Sequence, residues 1–555
     1  MPIRVPTDVL GCRGAGGWLR GLAAGLAGCA ACAGIARAQL RESQTLVVYD
    51  SRIADSAAVE NFYVGVHPGV LSVDISTLNA PSGPAGVFPA QPDIDYSVFK
   101  SNLRDPLRAY LSASGLARRV RCIVTTKGLP HRVLNIGTIP PMYGTIGDNP
   151  GQVNTAFNTP SGANNFGGNL TYCAVDAELS LLWQNLDATE SDLPGDSYVD
   201  GMIDNPFWRS TLPIGAYPTT NIRAAKAWVA PGGGNNGLWW VNQANTALPT
   251  TLTPGDIYLV CRLDGNSVAD VTGMIARAQN FAIPLATARV LLDSDGSGLD
   301  GTGNPPALDA GADYLLTKNA FSTDGRFLAA NVLRDTSPNF TGFWVGPNVS
   351  YASATNGPPH IQTLPLILLA SFGANHSGVS PNNAGNGSTA NTTYGTSFNF
   401  LPGAIFDSIE SYNGRAFGGL GQNPFVPQQQ AADVLAAGCT FAVCNAWEPL
   451  SISIPDCEQL AKNFILGNMT WGEAAYTAMP ALSWQQMAIG DPLARARRDR
   501  EDVSGDARIG IDDLYAWNAA PVDLNNNTIA DNTDFLILER SVRAFETLGM
   551  KGDQR

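Results

Sequence analysis

No basic patch stands out anywhere in this chain. Lys and Arg number 34 against 48 Asp and Glu, a formal net charge of -14, so the concentrated positive charge that neutralises phosphates is missing and nucleic acid is excluded as a partner. Charge of either sign is thin, at 15% of residues, while 44% are hydrophobic. That balance excludes a disordered chain and indicates a globular one. Beyond the first forty residues no stretch reaches the ~18 uninterrupted apolar residues of a membrane span. The acidic surplus is compatible with cations such as Ca²⁺. At 555 residues the chain is too long for one ordinary domain, and its 58 Gly and 37 Pro indicate long loops over a compact scaffold.

The first forty residues read as export machinery. Arg4, Arg13 and Arg20 precede a small-residue apolar stretch over 21–35, and Ala36-Arg37-Ala38 gives the small-x-small pattern read by signal peptidase. Cleavage after Ala38 is expected, making 1–38 a signal peptide and placing the protein outside the cell, at its surface or in the periplasm. Leu26-Ala27-Gly28-Cys29 is also similar to a bacterial lipobox, which would instead leave a lipidated Cys29. Removing the leader discards Cys12, Cys29 and Cys32 and leaves Cys122, Cys173, Cys261, Cys439, Cys444 and Cys457. An even count in an exported chain allows disulfides. Cys444 and Cys457, flanking a Pro-containing loop, are the nearest candidates, whereas Cys439 and Cys444 point to opposite faces of one strand.

From residue 44 the pattern alternates. Gln44–Tyr49, Val70–Ile75 and Val120–Thr125 read as strands, with helices from Ser56 to Tyr63 and over Asp95–Ser114, where Tyr96, Phe99, Leu103, Leu107 and Leu111 recur at helical spacing. This is the signature of parallel βαβ units. Residues 135–255 are less regular and read as an insertion or long crossover with one helix, Cys173–Trp183. Alternation resumes with a strand at Asp256–Asp264, a helix at Val268–Asn280 and a strand at Ala288–Asp293. Helices follow at Pro427–Ala437, Asp456–Leu466 and Trp471–Met479. The expected fold is α/β, a mostly parallel open sheet flanked by helices over 39–495, with a small helical calcium-loop domain over 496–555. Arg495 to Glu501, a run of mixed charge, reads as the solvated linker between them.

The chain is organised around Leu364–Pro449. Three apolar segments, Leu364–Phe372, Phe400–Phe406 and Ala436–Val443, deliver polar groups at their ends: His376 after the first, Asp407, Ser408 and Glu410 after the second, Cys444 and Glu448 after the third. Groups just past the carboxyl ends of parallel strands line the crevice where ligands bind. A nucleophile there, Ser408 or Cys444, would need a base and an orienting carboxylate, for which His376 and Glu410 or Glu448 are the candidates.

The tail gives the sharpest pattern. Asp502, Ser504, Asp506 and Asp513 occupy positions 1, 3, 5 and 12 of a twelve-residue loop, with the Arg508 carbonyl at 7. Asp523, Asn525, Asn527 and Asp534, with Ile529 at 7, repeat it 21 residues on. Ca²⁺ is a hard cation wanting six to eight oxygens, which such a loop supplies. The glycine usual at position 6 is missing: Ala507 and Thr528 stand there, where backbone strain is expected. Short apolar helical segments, Leu514–Trp517 and Phe535–Leu538, follow the loops.

Two loops in tandem with Asp at position 12 resemble a type I dockerin, and the resemblance implies Ca²⁺ as cofactor and a cohesin-like or cell-surface protein as partner. The ten-residue gap between Asp513 and Asp523 is short for that family. The phrases Val47–Asp50, Cys122–Gly128, Tyr258–Gly265, Ala436–Gly438 with Glu448-Pro449, and Gly490–Ala494 together resemble an uncharacterised family of exported bacterial α/β proteins, which carries no activity with it. More distantly, His376 and Asp407-Ser408 sit where gingipain-type, caspase-like cysteine peptidases hold their histidine and cysteine. That resemblance implies a hydrolase, but the nucleophile position lacks the thiol the mechanism needs. A polysaccharide-degrading enzyme is the other hydrolase expectation, since dockerin-like tails accompany those, although spacing selects no glycosidase carboxylate pair.

Overall fold

The computed structural model describes residues 39–80, 83–84, 93–94, 96–134, 172–183, 203–216, 226–229, 239–244, 256–279, 281–293, 310–335, 344–348, 360–371, 393–410, 412–418, 429–447, 454–506 and 509–549. The leader, with both readings of its processing, lies outside them, as do His376, Glu448 and Arg508.

Ten strands form one sheet: β1 Thr45–Tyr49, β2 Leu71–Asp74, β3 Cys122–Thr126, β4 Leu259–Leu263, β5 Arg289–Asp293, β6 Val332–Asp335, β7 Leu366–Ser371, β8 Phe400–Ser408, β9 Phe441–Asn445 and β10 Gln486–Ile489. Their spatial order is β6-β5-β7-β8-β9-β10-β4-β3-β1-β2. Each half follows one rule: its first strand lies inside its second, and the third and fourth extend the other way. Such doubly wound halves carry a switch point where the strand order reverses, between β1 and β3 and between β5 and β7. Every pairing in the sheet is parallel except β9 with β10. The two halves therefore run in opposite directions, and β10 is the seam.

The strands form because their apolar runs are buried on both faces. β3, β4, β7 and β9 are buried at every residue, as a parallel sheet covered by helices requires. The covering helices include α1 Ala54–Val66, α2 Asp105–Ala113, α3 Val175–Ser180, α4 Val268–Ala278, α5 Ala310–Asp324, α6 Ala431–Ala436, α7 Cys457–Leu460 and α8 Trp471–Ala478. Thr470 and Glu473 start α8 with a reciprocal capping box. The single helix expected over Asp95–Ser114 is instead Tyr96–Phe99, a π-helical Lys100–Arg104, and α2. Cys173–Trp183 also departs from expectation. Tyr172–Ala174 is a strand paired with Arg132–Leu134, and only then does α3 begin; a neighbouring edge overrides local helical preference there.

Buried charge ties the layers together. Arg262 of β4, wholly buried, donates through Nε and Nη2 to Asp176 of α3 at 2.8 and 2.9 Å and through Nη1 and Nη2 to the Leu129 and Pro130 carbonyls. Behind β10, Asp491 collects Tyr63 and His67 of α1, at 2.8 Å each, and Gln279 at 2.7 Å.

The tail contains two helices, α9 Ile511–Ala519 and α10 Asn532–Gly549, around a small core of Ile509, Leu524, Leu538 and Val542. Arg495–Glu501 is not a solvated linker. Arg498 and Glu501 are fully buried, because their charges pair with each other and with Arg326. Among the described residues no helix is long and apolar enough to cross a membrane.

Candidate functional site

The carboxyl ends of the second half's strands align several of the polar residues that close its apolar runs. Asp335, Asp293, Ser371 and Ser408 stand in one row across β6, β5, β7 and β8. All but Asp335 are fully buried. Asp293 accepts a 2.6 Å hydrogen bond from the Tyr394 hydroxyl. Sequence reasoning took Asp293 as the end of a strand and singled out neither Ser371 nor Tyr394; the repeated ending of apolar runs in Asp or Ser was the signal available.

Ser408 has a structural place. Its hydroxyl donates to Glu410 Oε2 at 2.9 Å, and that oxygen also accepts the Gln429 N–H at 3.1 Å. Asn413 and Asn445 close the turn, donating to the Ser408 and Glu410 carbonyls at 3.1 Å each. The side chain thus helps close a turn after β8.

Cys444 lies inside β9 with no exposure, and burial raises its thiol far above the ordinary range. A thiolate nucleophile is disfavoured there. Cys444 and Cys457, the nearest candidates for a disulfide, do not form one: all six described cysteines are buried and none is disulfide-bonded; Cys444 lies in a strand and Cys457 opens α7. The three described histidines have other partners. His67 faces Asp491 and Glu42. His131, kept neutral by burial and by Arg132 and Arg262, bonds the Arg415 carbonyl at 2.8 Å. His360 lies 5.2 Å from Trp344, ring to ring.

On the opposite face of β8, Asp407 is buried with, among the described residues, no hydrogen-bonding nitrogen or oxygen at either carboxylate oxygen. Burial lifts it to about 7; the Cys457 thiol works against the rise and Asp456 with it. Nearby, Asp313 of α5 accepts the Cys457 and Glu458 N–H groups at 2.8 Å each and so caps α7. Burial, with Asp456, pushes Asp313 well above its usual value too. Beside this acidic region a groove of about 520 Å³ opens between α5 and the 458–469 segment, lined in part by Asn319, Thr323, Asp324, Lys462, Gly467 and Asn468.

In the tail, the two loops repeat one geometry. The carboxylate at position 12 turns inward and is buried in both, Asp513 at 1% exposure and Asp534 at 0%. Its Oδ1 accepts the position-3 N–H, from Ser504 at 2.9 Å and Asn525 at 3.1 Å. Its Oδ2 accepts the position-9 N–H, from Gly510 at 2.7 Å and Asp531 at 2.9 Å. An acid in the first helical turn reaching back to the residue before the helix also complements the helix dipole. At position 1, Asp502 accepts the Gly505 and Asp506 N–H groups, and Asp523 those of Asn527 and Thr528. Position 4 is left-handed in both loops, Gly505 at φ +77° and Asn526 at +55°. Thr528, in place of glycine at position 6, is held at φ +71°, the strain anticipated from its sequence. Among the described residues no three His, Cys, Asp or Glu side chains group as metal ligands. The oxygens these loops offer are mixed, with Ser504, Asn525 and Asn527 beside the acids, a donor set of the kind a hard cation takes.

Comparison with family models, with curated proteins and with solved structures returns no match for this chain.

Proposed function

We propose that this is an exported protein whose C-terminal tandem loops bind Ca²⁺ and attach it to a cohesin-like or cell-surface partner. The observation that carries the reading is the repeated inward pinning of Asp513 and Asp534 by the same two N–H positions in loops 21 residues apart. Two independent turns of Asp and Asn have no reason to share it. Asp502, Ser504, Asp506 and Asp513, with Arg508 offering its carbonyl, are the donors of loop one; Asp523, Asn525, Asn527 and Asp534, with the Ile529 carbonyl, those of loop two. The uncharged Asn525 and Asn527 make loop two the weaker. The attachment reading draws on exposed apolar side chains: of the eleven large hydrophobic residues exposed among the described ones, Ile511, Tyr515, Val522, Ile529 and Leu536 belong to the tail.

Calcium titration calorimetry on the full chain tests the reading. Two saturable heats are expected, one lost in Asp502→Ala and the other in Asp523→Ala. Absence of any saturable heat in the parent protein would refute it.

A further inference from the structure

Loop two does not stand apart from the α/β domain. Asn526, between the position-3 and position-5 donors, points its side chain at the turn ending α5. Its Nδ2 donates to the Gly325 carbonyl at 2.7 Å and the Arg326 carbonyl at 2.8 Å, while its Oδ1 accepts from Arg500. The backbones meet closely: a Cβ on Gly325, itself at φ +76°, would lie 2.4 Å from the Asn525 carbonyl oxygen.

The same turn anchors a buried charge network. Arg326 binds Asp324 through two nitrogens at 2.6 and 2.8 Å, Glu501 at 2.6 Å, and the Leu466 carbonyl. Glu501 is shared with Arg498 at 3.0 Å, and Arg498 continues to the Gly467 carbonyl, Asn468 and, on α10, Ser541 at 3.0 Å. Two arginines and two acids neutralise one another, so the network tolerates burial while its members stay in place and becomes costly once one is withdrawn. Asp324, Gly467 and Asn468 also line the groove beside α5.

We propose that loop two is a calcium-dependent clamp: loading it fixes Asn526 against the Gly325-Arg326 turn and thereby stabilises the α/β domain and the groove wall formed by α5 and residues 466–468. The proposal rests on the calcium reading above and extends it to the rest of the molecule. An ion held by Asn525 and Asn527 restricts the backbone of the residue between them, and that residue carries the contacts. Coupling of this kind is reciprocal, so loosening the clamp weakens the calcium site by the factor through which calcium tightens the clamp.

The test uses the full chain, followed by calorimetric calcium titration and by thermal unfolding read from near-ultraviolet circular dichroism, to which the fully buried Trp447 and Trp471 of the α/β domain contribute. The variant is Asn526→Gly, which deletes the amide and tolerates the positive φ. Calcium is expected to raise the α/β unfolding temperature of the parent protein. In Asn526→Gly the second heat remains, about 5-fold weaker, at the low end for coupled sites, and the temperature no longer responds to that site. Asp523→Ala is expected to lose both the heat and the response. If calcium binds but the α/β transition does not move, or moves equally in Asn526→Gly, the clamp is overturned and the calcium reading stands. If no heat appears at all, both fall. Should Asn526→Gly fold poorly, Arg500→Gln, which removes the charged donor to Asn526 Oδ1, is expected to weaken the response in the same direction, and an unchanged response would count against the clamp.

Discussion

At the scale of single residues, the most consequential group is Asp407. Its folded pKa of about 7 lies above the ordinary 3.8, so the folded chain keeps a proton that the unfolded chain releases. Stability associated with that proton is fully present below about pH 3.8 and is lost as pH rises to about 7. Three units correspond to about 4 kcal/mol at most. Asp407→Asn is therefore expected to stabilise the protein at pH 8 by up to about that amount and to leave it unchanged near pH 3.5, measured by urea unfolding at the two pH values. His67 behaves differently. Burial alone would lower its pKa, but Asp491 and Glu42 outweigh burial and raise it. Its contribution is fully present below the unfolded value near 6.5 and is lost as pH rises through the raised folded value. In His67→Gln, the fall in stability above pH 6.5 should be shallower than in the parent protein; an identical profile would show that the imidazole contributes nothing.

At the scale of elements, strands were the most legible part of the sequence. β7, β8 and β9 are apolar runs ending in polar residues, and the physics that buries a parallel strand on both faces writes such runs directly. What periodicity does not encode is the partner. Tyr172–Ala174 became a strand because Arg132–Leu134 offers it an edge, and Arg498 became interior because, beside Glu501, the Gly467 carbonyl, Asn468 and Ser541 reach it from other parts of the chain. The row of polar strand ends was legible through the repeated endings, whereas the hydrogen bond from Ser408 to Glu410 was not. The spacing of the tail loops was legible because their bonding is local: each position-12 acid takes its hydrogen bonds from N–H groups within the same loop. Gly403, within an irregular stretch of β8, illustrates a constraint of the intermediate kind: φ is +84°, and a Cβ would sit 2.1 Å from the Phe281 ring. That ring belongs to an aromatic group with Phe441, Phe464 and Trp471. Gly403→Ala is expected to destabilise by about 2–5 kcal/mol, from about 1–2 for left-handed backbone and about 1–3 for overpacking, as a lower urea midpoint.

At the scale of the molecule, stability comes from one large core and from paired buried charge rather than from covalent cross-links. In the chain from residue 39 onward, the six cysteines are buried and form no disulfide, so a thiol reagent such as Ellman's should find none in the native protein and six after unfolding, and reductant should leave the melting temperature unchanged. Native reactivity would contradict this arrangement of the core. The seam has a consequence of a different kind, in time. β4 and β9 are interior strands only because β10 lies between them, and β10, residues 486–489, follows the other nine strands of the sheet in a chain made from its amino terminus. Until those residues emerge, each half presents an apolar, unpaired edge of the sort that sticks to its own kind. A nascent chain must therefore be shielded until β10 is made, and a message cut short before Gln486 is expected to yield two unsealed half-sheets and insoluble protein.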